Sequence, residues 1–241
     1  MKMSNSFVKY KDLLTIHGFN AETNKEEFVL LPLKDEFVEG LYQKRRNMLE
    51  YGFQIAVRKT VYEKLINVSK DLKKINPNFK VIVAYGFRDI KKQERYFNEI
   101  LEEVKDRFTD KEEMYEYIHE KIAVPEVAGH PTGGAIDTMI YDTEAGSNLD
   151  FGSEILDYST TQCYYETTGI SKEARENRKL LRDVMMKNGF APYDGEWWHF
   201  SYGDKEWAFY YSKEEALYNQ VDADSVFKKL VKKQVSNGDT N

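Results

Sequence analysis

Two short stretches hold the residue types that could do chemistry together. In GHPTGGAIDTMI, residues 129–140, His130 and Asp137 stand seven positions apart across a pair of glycines. In DGEWWHF, residues 194–200, Glu196 precedes His199 by three. Two imidazoles and one carboxylate suit a catalytic zinc, because three protein ligands leave a fourth position for water. A metal so held lowers the pKa of water from about 15.7 toward about 7 and polarises a carbonyl oxygen. Hydrolysis then needs a base that takes a proton from water and passes it to the leaving amine. Glu196, close to a ligand and not needed as one, fits that task. On spacing alone a second account stands equally: His130 caps a loop, Asp137 makes a local turn hydrogen bond, and His199 is a satisfied core histidine.

The remaining candidates read as structural. His119 lies within a strongly charged helical stretch, and His17 has no acidic residue at a telling distance; both are expected at the surface or in packing. Cys163, the single cysteine, excludes an internal disulfide and fits a reducing compartment; alone, it reads as a small buried hydrophobe. Trp197, Trp198 and Trp207 could wall a pocket, though aromatic residues on strands more often fill the core.

These residues need elements to position them. KVIVAYGF, from Lys80, is a β-branched run between Asn-Pro and Gly86 and predicts a buried strand that delivers GFRD at its end. GAIDTMIYD alternates as a strand would and carries Asp137. A helix is expected over 56–74 from Val57, Val61, Leu65, Ile66 and Leu72, a second over 90–107, and a third over 111–121, where Asp110 and Glu113 have capping-box spacing. Ser171 should cap a helix running to about Asn188, with Gly189 at its left-handed end. EWWHFSY and WAFYY read as strands. In a regular strand Glu196 and His199 would point to opposite faces, so Glu196 must lie in the turn that Asp194-Gly195 begins, or at a bulge. The sum is an α+β fold, with helices packed on a mostly antiparallel sheet.

The chain has 241 residues, 41% of them hydrophobic, enough for a substantial core. Its charge of -6 is spread along the length, which argues against a nucleic-acid partner. No run of about 18 apolar residues suggests a membrane span, and no secretory signal is visible, so a cytoplasmic location is expected. With no repeat or linker, residues 1–223 read as one catalytic domain and 224–241 as a basic, partly frayed tail.

GHPTGGAID resembles the H-x-x-G-x-A-x-D motif, and EWWHF the E-x-W-H motif, of the zinc D-alanyl-D-alanine dipeptidases, the vancomycin-resistance type and its housekeeping relatives. AYGFRD resembles that group's strand-end GYRP segment, and the similar core covers about residues 80–211. The resemblance implies a zinc D,D-peptidase-like single domain with one zinc per chain, held by His130, Asp137 and His199. It implies Glu196 as general base and Arg88 as the guanidinium that hydrogen-bonds the oxyanion at the scissile carbonyl. Read without the resemblance, Arg88 would be a surface ion pair with Asp89 or Glu94.

The implied function is hydrolysis of a D-alanyl-D-alanine-type dipeptide in cell-wall metabolism, with a small peptide as the partner. E-W-W-H is the dipeptidase-like form, whereas carboxypeptidases more often carry proline after the glutamate. Two features depart from the group: Ala128 stands where a substrate-holding serine is usual, and the N-terminal R-Y-A-T-x-x-N-F pattern is absent. No ligand for the substrate's amino group carries over; Asp157 is the nearest candidate. A D,D-carboxypeptidase or other cell-wall peptide hydrolase, or a non-catalytic peptide-binding relative, is the alternative. A non-haem iron oxygenase would also use two histidines and a carboxylate, but with one residue between histidine and carboxylate.

Overall fold

Residues 7–41, 54–228 and 230 are described by the computed structural model. The elements run α1 (Tyr10–Leu14), β1 (Phe28–Leu30), β2 (Val38–Gly40), β3 (Ala56–Arg58), α2 (Lys59–Ile75), β4 (Phe79–Tyr85), α3 (Ile90–Val104) and α4 (Lys111–His119). They continue with β5 (Ala135–Asp142), β6 (Ser147–Asn148), α5 (Lys172–Lys187), β7 (Ala191–Pro192), β8 (His199–Ser201) and α6 (Lys205–Tyr210). The main sheet has the order β2-β4-β5-β8-β7, with β6 added to the end of β5. Only β2 runs parallel to its neighbour; the other pairs are antiparallel. β1 and β3 form a separate antiparallel pair. This is the α+β arrangement with a mostly antiparallel sheet that the sequence predicts.

β4 is a central strand because its apolar run is continuous: Val81, Ile82, Val83 and Ala84 are all buried. One face of α2, built from Val61, Leu65, Val68 and Leu72, packs into the same core as Ile136 and Ile140 of β5 and Leu181 and Met185 of α5. Trp197, Trp198 and Cys163 lie in that core too, as fillers and not as pocket walls. A second apolar cluster joins Tyr10 and Leu13 of α1 to Phe97 of α3, Ile118 of α4 and Val127.

The capping signals hold. The Asp110 carboxylate accepts the Glu113 N–H at 2.9 Å, and the Ser171 hydroxyl accepts the Ala174 N–H at 2.9 Å. Gly189 follows α5 at φ +84°. Replacing Ser171 with alanine orphans that N–H and is expected to cost about 1 kcal/mol. Chemical denaturation would register this as a lower midpoint at unchanged slope.

Two expected elements differ. Ala56–Arg58 does not join the helix, because it pairs with β1 while the Arg58 N–H bonds the Gly133 carbonyl at 3.0 Å. The segment WAFYY lies in and just after α6, not in a strand. Asp204 accepts the Trp207 N–H at 2.9 Å as a cap, and the Trp207 and Tyr211 rings, four residues apart, meet at 5.9 Å. Helical spacing was hidden inside an aromatic run.

At the C-terminal end residues 223–228 are helical, and Val226 and Leu230 are buried with Ala56 and Phe87. Packed structure therefore continues past 223, and the rest of the expected tail, 231–241, lies outside the described residues. Among the described residues no helix is long and apolar enough to cross a membrane.

Candidate active site

The site forms where β4 ends, β5 begins and β8 joins it. The β4–β5 register slips between Val83 and Tyr85, so Tyr85 comes opposite Asp137. Gly86 follows in a place with no room for a side chain: a Cβ would meet Ile55 Cγ2 at 2.5 Å and the Ala56 carbonyl at 2.9 Å. Its own carbonyl oxygen accepts a hydrogen bond from His130 Nδ1 at 2.9 Å. A carbonyl can only accept, so Nδ1 carries the proton and Nε2 keeps its lone pair.

His130 opens a short 3-10 turn, His130–Thr132, that Gly133 ends at φ +76°. The Thr132 hydroxyl ties that turn, donating to the Gly129 carbonyl and accepting the Gly134 N–H. The chain then enters β5, and Asp137 falls directly opposite His199 of β8. Two residues far apart in sequence are thus cross-strand neighbours.

Asp137 joins the two imidazoles. One carboxylate oxygen lies 3.0 Å from His199 Nδ1 and the other 3.5 Å from His130 Nε2. All three residues are buried, and one ligand atom from each lies within 4.8 Å of the others. Burial pushes the His130 pKa down, which favours the neutral, ligating form. Burial opposes a charge on His199 as well, but the hydrogen bond to Asp137 and the nearby Glu206 carboxylate outweigh that and raise its pKa well above the usual value. For Asp137, burial is outweighed by the two histidines, which hold its carboxyl below the usual carboxylate range. The two nitrogens and one oxygen fit a zinc donor set, with the free Nε2 lone pair of His130 the clearest sign.

Glu196 lies in the turn after Asp194-Gly195, as its spacing required, and its carbonyl accepts the His199 N–H at 3.1 Å. Its carboxylate accepts the Trp198 indole N–H at 2.8 Å and faces the Tyr158 hydroxyl at 3.4 Å. Burial, reinforced by Asp137 and opposed by His199, pushes the Glu196 pKa up to about 7. A carboxyl poised there can both take and return a proton.

Arg88 stands just beyond β4. Its backbone N–H bonds the His130 carbonyl at 3.2 Å, and its guanidinium donates to Tyr85 Oη at 3.1 Å and Gln93 Oε1 at 2.7 Å. Gln93 is itself fixed through the Ala123 carbonyl at 2.7 Å.

A cavity of about 420 Å³ opens onto Arg88, His130, Glu196 and His199, with Ala128 in its wall; Asp137 reaches the site through its contacts with the two histidines. Asp157 is not among its lining residues; its carboxylate accepts the Ser159 N–H at 2.9 Å. Leu156 faces the cavity instead, at φ +62°, a conformation costly for a residue with a branched side chain.

Sequence reasoning passed over four lining residues: Gln93, His119, Tyr158 and Glu206. His119 does pack, against the Tyr10 ring and with Nδ1 accepting the Val124 N–H at 3.3 Å, but it also borders the cavity. Glu206 stands just before WAFYY, whose reading as a strand hid the helix that carries it. Tyr158 and Gln93 carried no local signal.

A family model described as D-ala-D-ala dipeptidase matches residues 42–221. A D-alanyl-D-alanine dipeptidase of Synechocystis sp. is 27% identical over 189 residues, 68% of this chain and 76% of that one. Another from Enterococcus faecium is 33% identical over 78 residues, 32% of this chain and 38% of that one. Among solved structures, the LdcB LD-carboxypeptidase aligns at TM-score 0.41 and 21% identity, over 76% of this chain and 72% of that one. The vancomycin-resistance D,D-pentapeptidase VanY, in complex with Zn(II), aligns at 0.37 and 18%, over 84% and 96%. At those scores the likeness bears no weight for site or substrate. The match over residues 42–221 is extensive enough that the chain belongs to the D-Ala-D-Ala dipeptidase family, zinc metallopeptidases of cell-wall peptide hydrolysis.

Proposed function

We propose that this chain hydrolyses a D-alanyl-D-alanine-type dipeptide, using one zinc held by His130, Asp137 and His199. The observation that carries this reading is that His130 and His199 of that buried trio share one cavity with Glu196 and Arg88. When bound, zinc supplies a Lewis acid that polarises the peptide carbonyl and makes water acidic enough to lose a proton near neutrality.

The chain's own groups do the rest. Glu196 accepts a proton from water as the new C–O bond forms, held for that task by the Trp198 indole. Arg88, fixed by Tyr85 and Gln93, presents its guanidinium to the negative charge growing on the carbonyl oxygen. Glu196 then hands its proton to the amine nitrogen as the C–N bond breaks. Two free amino acids leave, and the carboxylate is restored.

The test is release of free D-alanine from the D-alanine dipeptide. Activity should disappear on treatment with a strong chelator and return with zinc in a one-to-one ratio. Zinc-loaded protein that released nothing from D,D-dipeptides would overturn this substrate. L,D-dipeptides and longer D-alanine-ended peptides, run beside it, would show whether a carboxypeptidase activity takes its place.

A further inference from the structure

The two ring nitrogens of His199 face different carboxylates. Nδ1 lies 3.0 Å from Asp137, whereas Nε2 faces Glu206 Oε2 at 3.7 Å, within ion-pair reach and a small shift short of a hydrogen bond. Glu206 is the second residue of α6, a helix set in place by its Asp204 cap. Its side chain is only 15% exposed, and its other oxygen, Oε1, is buried with no hydrogen-bond partner. Leaving a carboxylate half-satisfied away from water costs stability, so its position calls for a compensating role.

The tautomer supplies one. An imidazole that offers its Nδ1 lone pair to a metal must carry its proton on Nε2, and the group facing Nε2 is Glu206. A carboxylate accepting that proton's hydrogen bond fixes the tautomer, holds the ring plane and makes Nδ1 a stronger donor. We propose that Glu206, although it also borders the cavity, is a positioning residue for the metal centre that acts through His199 Nε2. The proposal rests on the assignment of His199 as a ligand.

The arrangement also explains why α6 packs beside the site. Its N-terminal turn delivers a carboxylate to the outer side of the one ligand that comes from the short strand β8. His130 has the equivalent service from the Gly86 carbonyl, so each imidazole would have one oxygen partner away from the metal.

The experiment is zinc affinity measured by chelator competition on the wild type and on Glu206→Ala, Glu206→Gln and His199→Ala. The alanine variant should bind zinc about 10- to 100-fold more weakly. The glutamine variant should fall between, because an amide oxygen still accepts the hydrogen bond without the charge. Cobalt(II) substitution adds a second readout: the visible absorption of both Glu206 variants should shift, while their metal-free melting temperatures stay near that of the wild type. If both Glu206 variants kept wild-type affinity while His199→Ala lost it, the positioning role would fall and the ligand set would stand. If His199→Ala also bound normally, the ligand assignment itself would be wrong. Should the alanine variant fail to fold, the glutamine variant, which keeps the side-chain volume, decides the question.

Discussion

Replacing Glu196 with glutamine should lower kcat by about 10²- to 10⁴-fold, the usual contribution of a general base, while zinc content stays at the wild-type level. Glutamine is the informative substitution because its amide oxygen can still accept the indole N–H of the fully buried Trp198. Alanine would remove the base and also strand that donor, at about 1–3 kcal/mol. A rate loss shared by both variants, with added instability only in alanine, separates the chemical role from the packing role. Steady-state release of D-alanine together with metal analysis reads both quantities. Turnover by the glutamine variant within a few-fold of wild type would remove Glu196 from the proton path.

The largest expected stability effect lies away from the chemistry, at Arg178. This α5 residue is 1% exposed, and its guanidinium donates to the carbonyls of Phe151 at 2.7 Å, Tyr164 at 2.6 Å and Gln162 at 2.7 Å. Burial lowers its pKa to about 10, leaving it charged at neutrality. It thereby gathers a long segment without regular strands or α-helices, the one that carries Leu156 and Tyr158 to the cavity. Methionine in its place would fill much of the volume but orphan three carbonyls, each at about 1–3 kcal/mol, for an expected loss of about 4 kcal/mol. Lysine should rescue little, since one ammonium cannot reproduce a planar fork aimed at three oxygens. Guanidinium denaturation checks the figure. A loss below about 1 kcal/mol would mean that the loop is held by its other contacts, such as the Trp197 indole on the Ser153 hydroxyl.

How much of this was legible beforehand follows from the range of each signal. Ser171 and Asp110 could be read as caps because a cap is decided within four residues. β4 could be read because a continuous β-branched run has few other uses. The pairing of His130, Asp137 and His199 was suggested by motif, but its cause, the Asp137–His199 register, is a sheet property with no local trace. Ala56–Arg58 looked helical because Val57 continues the spacing of α2, and only its partner β1 pulls it into a strand. Glu206 was lost with α6, whose aromatic content resembles a strand although Asp204 and Gly203 mark a helix start. Arg178 stands in an N-R-x-L-L stretch similar to the family's, but nothing local showed its burial, since its partners are backbone carbonyls that any sequence possesses.

The strand order has a consequence for how the enzyme is made. β5 can pair with β4 once both have emerged from the ribosome, but its other edge waits for β8. Until then the nascent chain shows an open strand edge of the kind that invites unwanted pairing. It also carries His130 and Asp137 without their third companion. The candidate metal site therefore cannot come together before β8 has been made. A product that stops short of residue 199 would keep much of the β4–β5 framework but lack the proposed third ligand, so metal loading at this site would have to wait for β8.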